Sequence, residues 1–301
     1  MRLIKKQGSL VKSIAYMGIM AAINIIFVLL TYFIPFLLFL LVFLLPLCSA
    51  IISYCCKKYY FPIYLIVVSA VCLLIDPSDT IFYVIPSLLT GFVFGLFLDS
   101  KVPPIFVIVL VTLLQFGLSI AFIPLIQALT NRDIVIDFSK IFGLSEYQYL
   151  DYLKYSFIFF VAFAQMLITY LVMESELSKF GIVFEKGSQK NFILDLLTLA
   201  CLLLTILFGF VLKELSYIPL FLAIIFAINR LIYLDYKFYK IYLIEGAVIL
   251  MLSIFLVALL YPVVNKPLGL LLIGFIPLFI SLACLINNCL LSKHNKDTIN
   301  K

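Results

Sequence analysis

Runs of apolar residues, each about 20 long and separated by short polar segments, repeat along almost the whole chain. A helix of that length spans roughly 30 Å, the thickness of the hydrocarbon core of a bilayer. Because lipid offers the backbone no hydrogen-bonding partner, such runs cross it as helices. The pattern therefore predicts an all-α fold, a polytopic transmembrane helical bundle of about ten spans.

Most of the predicted spans end at charged residues or at prolines. In chain order they are Ser13–Phe33, Phe36–Cys56, Tyr59–Ile75, Ile81–Leu98, residues 105 to about 125, Leu153–Met173, Phe192–Leu212, Tyr217–Leu234, Tyr242–Tyr261 and Pro267–Leu290. Pro46 lies inside the second span and predicts a kink there, because proline lacks the N–H that a helix needs.

The lysine and arginine residues orient this stack of spans. With the N-terminus inside, sixteen of the 21 fall on cytoplasmic segments and five outside, at Arg132, Lys140, Lys154, Lys213 and Lys266. Membrane proteins carry such an excess of positive charge on their cytoplasmic loops. We therefore expect a multi-pass protein of the plasma membrane with both termini cytoplasmic. Its first span lacks a small-residue cleavage site and is expected to remain as a signal anchor.

One polar segment interrupts the apolar pattern in the middle of the chain. Residues 174–190 contain Gly181, Gly187 and several charged side chains, which is typical of a linker. The segment divides the chain into a six-span membrane domain, residues 1–180, and a four-span C-terminal membrane domain, residues 181–301.

The composition supports a membrane location and excludes several function classes. Of 301 residues, 65% are hydrophobic and 12% charged, and the mean hydropathy is +1.25, whereas soluble domains carry about 25% charge. The basic residues form no aromatic-interleaved patch, so a nucleic-acid partner is not expected. The seven cysteines lie in or beside apolar runs, and His294, the only histidine, lies in the charged C-terminal tail. Neither a metal site nor a disulfide framework is predicted.

The sequence also lacks the motifs of membrane enzymes and nucleotide-binding proteins. Ionisable side chains are almost absent from the middles of the spans. Asp195 and Glu245 come closest, each near the cytoplasmic end of its span, where it can reach the interface or pair with Lys190 or Lys240. We therefore predict no catalytic residues and no cofactor. For Asp195 and Glu245 we expect an anchoring role, with a proton relay as the alternative.

Three neutral amides lie near mid-depth in the first six spans, at Asn24, Gln115 and Gln165. Amides provide hydrogen-bond donors and acceptors without the full cost of a buried charge. They predict a substrate-binding pocket to which Tyr83 contributes, or else hydrogen bonds that only hold the bundle together. Tyr83 is also close in sequence to Asp76 and Asp79, and these three are candidates for an external mouth.

Two spans carry stripes of small residues on one helical face. The first span has Ala15, Gly18 and Ala22, and the fourth has Ser87, Gly91 and Gly95. In lipid, small side chains let a second backbone approach closely. The fourth-span stripe predicts tight packing within the bundle. The first-span stripe faces away from Asn24, so the two faces of that helix suggest two different neighbours, or else both faces pack inside one bundle.

Several segments resemble the substrate-binding (S) components of energy-coupling-factor (ECF) transporters. The basic N-terminus is followed by KSIAYMGIMAA at Lys12–Ala22, the fourth span contains IPSLLTGFVFG at Ile85–Gly95, and about 175 residues hold six spans. More narrowly, Leu44-Leu45-Pro46-Leu47 and the overall length are similar to the YybS-like membrane proteins of Gram-positive bacteria, which look related to S components.

The resemblance implies a function and partners. An S component captures a vitamin or other micronutrient on the outer side. It then associates through small residues of its first span with a transmembrane coupling protein driven by a pair of ATPases. The matching positions here are Ala15, Gly18 and Ala22. Gly18-x-x-x-Ala22 stands where that family usually has alanine-x-x-x-alanine, and the four spans after Lys190 exceed the usual six.

Three functions fit these features. The first is the membrane-embedded substrate-binding component of a micronutrient uptake system that partner proteins energise, which accounts for the scarcity of charges within the spans. The second is an autonomous secondary transporter of five plus five inverted spans. The third is a non-transporting membrane scaffold or assembly protein. A polar pocket open to the outside would favour the first function over the third.

Overall fold

The computed structural model describes residues 10–34, 38–130, 150–179, 191–232, 270–282 and 284–285, with isolated positions at 248, 251 and 255. Within these ranges every regular element is helical and no β-strand is present. The all-α prediction is therefore confirmed for the described part of the chain.

The longer helices overlap the first eight predicted spans. In chain order they are α1 Leu10–Phe33, α2 Leu38–Cys55, α3 Phe61–Ile75, α4 Ile85–Asp99, α5 Pro104–Thr130, α6 Leu150–Lys179, α7 Asn191–Val211 and α8 Tyr217–Ile232. A short helical turn, Pro77–Asp79, and a π-helical turn, Thr80–Val84, lead into α4. Short 3₁₀ helices occupy Lys58–Tyr60, Lys213–Leu215 and Leu270–Gly274.

Five helical segments in these ranges are long and apolar enough to cross a membrane: Leu10–Phe33, Lys58–Ile75, Pro104–Leu129, Tyr155–Ser175 and Asn191–Val211. Leu44–Cys55, Ile85–Asp99, Tyr217–Arg230 and Leu272–Leu282 are apolar but shorter. Apart from three isolated positions, the predicted span Tyr242–Tyr261 lies outside the described residues, and so does Glu245. The helices are compatible with a multi-pass membrane protein, while the number of about ten spans stays a prediction.

The chain forms two compact units. The first comprises Met1–Ser145 and Phe157–Ser188, and the second comprises Glu146–Ser156 and Gln189–Lys301. In the first unit, one apolar cluster joins α1, α2, α3 and α4 around residues such as Met17, Leu45, Val68 and Leu88. A second joins α2, α4, α5 and α6 around Ala50, Phe94, Val107, Val111 and Met166.

In the first unit α4 packs most extensively on α2, and two glycines of α4 lie in that contact. A Cβ added to Gly91 would collide with the backbone of Pro46, and it would lie 2.8 Å from Cβ of Ser49. A Cβ added to Gly95 would lie 2.5 Å from the backbone oxygen of Ala50. Glycine is therefore required at both positions, because nothing larger fits between the two helices.

Hydrogen bonds and an ion pair show which helix ends lie together in the first unit. The Cys56 thiol lies 3.9 Å from the backbone oxygen of Ser13, which joins the end of α2 to the start of α1. Lys58 Nζ lies 3.1 Å from Asp99 Oδ2, which joins the start of α3 to the end of α4. The helices therefore alternate in direction. The ends of α1 and α3 and the start of α4 share the opposite end of the unit.

In the second unit α7 packs on α8, and a buried ion pair crosses their contact. Arg230 Nε lies 3.4 Å from both carboxylate oxygens of Asp195, and these side chains are 3% and 0% exposed. The sequence predicts that Asp195 reaches the interface or pairs with Lys190. In the structure Asp195 pairs with Arg230 instead, because the last turn of α8 directs that side chain at α7.

Candidate functional site

Two of the three predicted amides meet on α4. Gln165 Nε2 of α6 donates a hydrogen bond of 3.1 Å to the Ser87 hydroxyl. The Thr90 hydroxyl lies 2.7 Å from Gln115 Oε1 of α5 and 2.8 and 3.1 Å from the backbone oxygens of Pro86 and Ser87, so its one hydrogen has three acceptors within reach. Both glutamines are almost fully buried. Ser87, predicted as a packing residue, therefore also serves as a hydrogen-bonding partner.

The third amide lies in a different contact. Asn24 of α1 is fully buried and donates from Nδ2 to the Tyr64 hydroxyl of α3 at 2.7 Å. Its Oδ1 has no hydrogen-bond partner among the described residues. Asn24 is thus bonded across the α1–α3 contact, while the two glutamines are bonded to α4. The hydrogen bonds do not join the three amides into one group.

A cavity of about 40 Å³ opens at the end of the first unit that holds the start of α4. Thr31 and Tyr32 of α1 line one side, and Asp76, Asp79 and Tyr83 line the other. Val28, Ile75 and Val84 supply apolar walls. Asp76, Asp79 and Tyr83, the three candidates for an external mouth, therefore line one cavity in the structure. By the distribution of lysine and arginine, this end of the unit is the predicted outer one.

The local sequence explains the shape of this cavity wall. Asp76 ends α3 in an extended conformation, and its Oδ1 accepts a 3.0 Å hydrogen bond from the Asp79 backbone N–H. Pro77 follows at the first helical position, which is its favoured place. Thr80–Val84 then adopts a π-helical turn, just before Pro86, which has no N–H to continue an α-helical ladder. Such turns are frequent at functional sites.

The two carboxylates of the cavity have no cationic partner in the part of the chain that the structure describes. Among the described residues neither Asp76 nor Asp79 forms an ion pair with lysine or arginine. Asp79 is exposed when the whole residue is considered, but its carboxyl group is partly buried. This burial, and to a smaller extent the neighbouring Asp76 carboxylate, raises the pKa of the Asp79 carboxyl group above its ordinary value. The cavity therefore carries negative charge that nothing in this part of the chain neutralises.

Tyr83 adds a buried polar atom at the same place. Its hydroxyl oxygen has no hydrogen-bond partner within the described part of the chain. The Asp79 carboxylate is close enough to that hydroxyl to interact with it electrostatically. A buried hydroxyl without a partner loses the hydrogen bonds that water would give it.

The small-residue stripe of α1 faces away from the first unit's core. Ala15, Gly18 and Ala22 are exposed, and a Cβ added to Gly18 would meet no atom within 4 Å. The opposite face buries Tyr16, Met17, Ala21, Asn24 and Val28. No described residue therefore covers the stripe, whereas the α4 glycines are covered by α2.

Comparison with known protein families, curated proteins and solved structures found no match to this chain. The resemblance to ECF S components accordingly stays a prediction. Sequence reasoning missed Thr31 and Tyr32 as members of the cavity. Thr31 could have been found from the sequence, because it lies seven residues after Asn24 and therefore on the same buried face of α1.

Proposed function

We propose that this chain is the membrane-embedded substrate-binding component of a micronutrient uptake system that partner proteins energise. The observation that carries the proposal is the cavity between the ends of α1 and α3 and the start of α4. It combines apolar walls with a few convergent polar groups, as small-molecule sites do. Its position at the predicted outer end of the bundle is where a solute would be captured before uptake.

The open face of α1 supports a docking role. In lipid, helices associate through close packing at small residues and not through burial of apolar surface from water. Ala15, Gly18 and Ala22 provide such a surface, and no other helix of the described first unit fills the space beside Gly18. The predicted partners are a transmembrane coupling protein and ATPases, which would supply the energy for uptake.

Copurification from native membranes tests the docking role, and the chain supplies a matched control. Gly18 and Gly117 are both exposed in long apolar helices, and a Cβ added to either would meet nothing within 4 Å. Gly18→Leu is expected to reduce recovery of the coupling protein and ATPases by about tenfold or more, while Gly117→Leu leaves it unchanged. Equal recovery with Gly18→Leu and wild type would contradict docking through this face.

The autonomous transporter makes an opposite prediction for isolated protein. We expect purified protein in sealed vesicles, with no other polypeptide present, to show no accumulation of solute when a proton or sodium gradient is imposed. Accumulation would refute the proposal and establish a secondary transporter.

One observation favours a scaffold as the second candidate. Gln115 and Gln165 both hydrogen-bond to α4, and such bonds serve a structural bundle as well as a transporter. The two candidates differ at the cavity. A substrate-binding component retains a solute that mass spectrometry detects after mild purification, and substitutions at the cavity remove that solute. A scaffold retains none.

A further inference from the structure

The cavity between α1, α3 and the start of α4 has a definite charge. Asp76 and Asp79 both line it, and neither has a lysine or arginine partner in the described part of the chain. One oxygen of Asp76 accepts the Asp79 backbone N–H, which leaves the rest of both carboxylates available. Two carboxylates in a partly apolar cavity repel each other and attract positive charge.

The neutral groups of the cavity fit an organic cation better than a metal ion. A calcium ion takes six to eight oxygen ligands, and no group of three or more metal-binding side chains exists among the described residues. The aromatic rings of Tyr32 and Tyr83 line the cavity instead, and ring faces attract ammonium and guanidinium groups. Val28, Ile75 and Val84 add surface for a carbon chain.

The size of the cavity limits what enters it. A water molecule needs roughly 10–15 Å³ on the scale that gives this cavity about 40 Å³. The space therefore holds one ammonium-sized group, with the remainder of a solute outside it. The unpartnered Tyr83 hydroxyl offers its oxygen as an acceptor for an N–H of that group.

We propose that the substrate of this chain is a small organic cation whose ammonium or guanidinium group enters the cavity between Asp76, Asp79 and the Tyr83 hydroxyl. This inference rests on the proposed capture function and adds the chemical class of the solute. Charge pairing with both carboxylates fixes the orientation of the solute, and contact with the tyrosine rings selects amines over inorganic cations.

Equilibrium binding to the purified full chain in lipid nanodiscs tests the assignment. The probes are radiolabelled putrescine, methylammonium and guanidinium. The competitors are succinate and 1,4-butanediol, which share the four-carbon length of putrescine but are anionic and neutral, together with sodium and calcium ions. We expect at least one of the three cations to bind and to resist displacement by succinate, butanediol and the metal ions.

Variants then localise the binding. Asp76→Asn keeps an N-cap residue, so the turn is preserved. Asp76→Asn and Asp79→Asn should each weaken cation binding about tenfold or more, because each removes a charged partner. Tyr83→Phe should weaken it about threefold. Asp99→Asn removes a carboxylate at the other end of the unit, paired with Lys58, and should leave binding unchanged.

The contrary outcomes separate the two proposals. If no cation binds but the purified protein retains an anionic or neutral solute, the substrate class is wrong and the capture function stands. Binding that survives both asparagine substitutions places the cation elsewhere and overturns the site. Displacement by sodium or calcium ions alone overturns the organic class. If the protein neither binds a probe nor retains any solute, both proposals fail.

Discussion

Replacing Gly91 by alanine perturbs the contact between α2 and α4 at its tightest point. The added methyl group would meet the Pro46 backbone oxygen and Cα as well as Cβ of Ser49. Because backbone atoms of a helix cannot rotate away, α4 would have to move off α2. Such overpacking costs about 1–3 kcal/mol, and the greater helix propensity of alanine returns up to about 1 kcal/mol. We expect a net loss of about 1–2 kcal/mol.

A thiol-reactive fluorescent dye can follow the unfolding of the purified protein in detergent. The chain contains no tryptophan, but Cys48 of α2 and Cys72 of α3 are 4% and 0% exposed, so a dye reaches them only when the unit opens. In domains of this size each kcal/mol of lost stability lowers the melting temperature by roughly 2–4 °C. Gly91→Ala should therefore lower the melting temperature by about 2–8 °C.

Gly117→Ala is the matched control, since it adds the same methyl group to a long apolar helix where nothing lies within 4 Å. Its melting temperature should equal that of wild type or exceed it slightly. If Gly91→Ala melts like Gly117→Ala, the two helices do not pack as closely as described, and the requirement for glycine in this contact is wrong.

Two further predictions concern buried and partly buried charge. Asp195→Leu leaves Arg230 without its partner and should destabilise the protein by about 3–5 kcal/mol, whereas the double variant with Arg230→Leu should recover most of that loss. Both are measured by the same dye assay, and a double variant no better than the single one would refute the pairing. The raised pKa of Asp79 means that the folded protein binds its proton more tightly than the unfolded chain. Its contribution to stability is therefore full below the ordinary value of 3.8 and is lost as pH rises through the raised value. Cation binding requires the ionised group, so it should be lost as pH falls through that same raised value. Asp79→Asn should abolish this pH dependence, and a profile unchanged by the substitution would assign it to another group.

The extents of the helices follow closely from local sequence. Apolar runs ended by charged residues or prolines predicted Ser13–Phe33 and Phe192–Leu212, and the structure has Leu10–Phe33 and Asn191–Val211. The helix bounds can be predicted because the length of an apolar run is a local property, set by the thickness of the bilayer. Irregular turns are harder to predict. Pro86 indicates that the α-helical hydrogen-bond pattern is interrupted, but it does not indicate that Thr80–Val84 becomes π-helical.

Which polar groups meet depends on the rotation of each helix, and this is not a local property. Gln165 reaches Ser87 across 78 residues, and Asn24 reaches Tyr64 across 40. All three amides have comparable depth in their spans, so depth alone suggested a single pocket. Arg230 lies near the end of the predicted eighth span, and its pairing with Asp195 follows only from its helical face, which directs it at α7.

The ion pair between α7 and α8 also has a consequence for biogenesis. Arg230 meets Asp195 only when both helices lie side by side, and each helix alone would bring an uncompensated charge into the bilayer near one end of its span, at a cost below the roughly 2.5–3.5 kcal/mol of the bilayer centre. The two segments, joined through residues 212–216, are therefore expected to leave the translocon together as a helical hairpin. Glycosylation mapping should find α8 inserted less efficiently alone than behind α7, and equal efficiency would exclude this coupling.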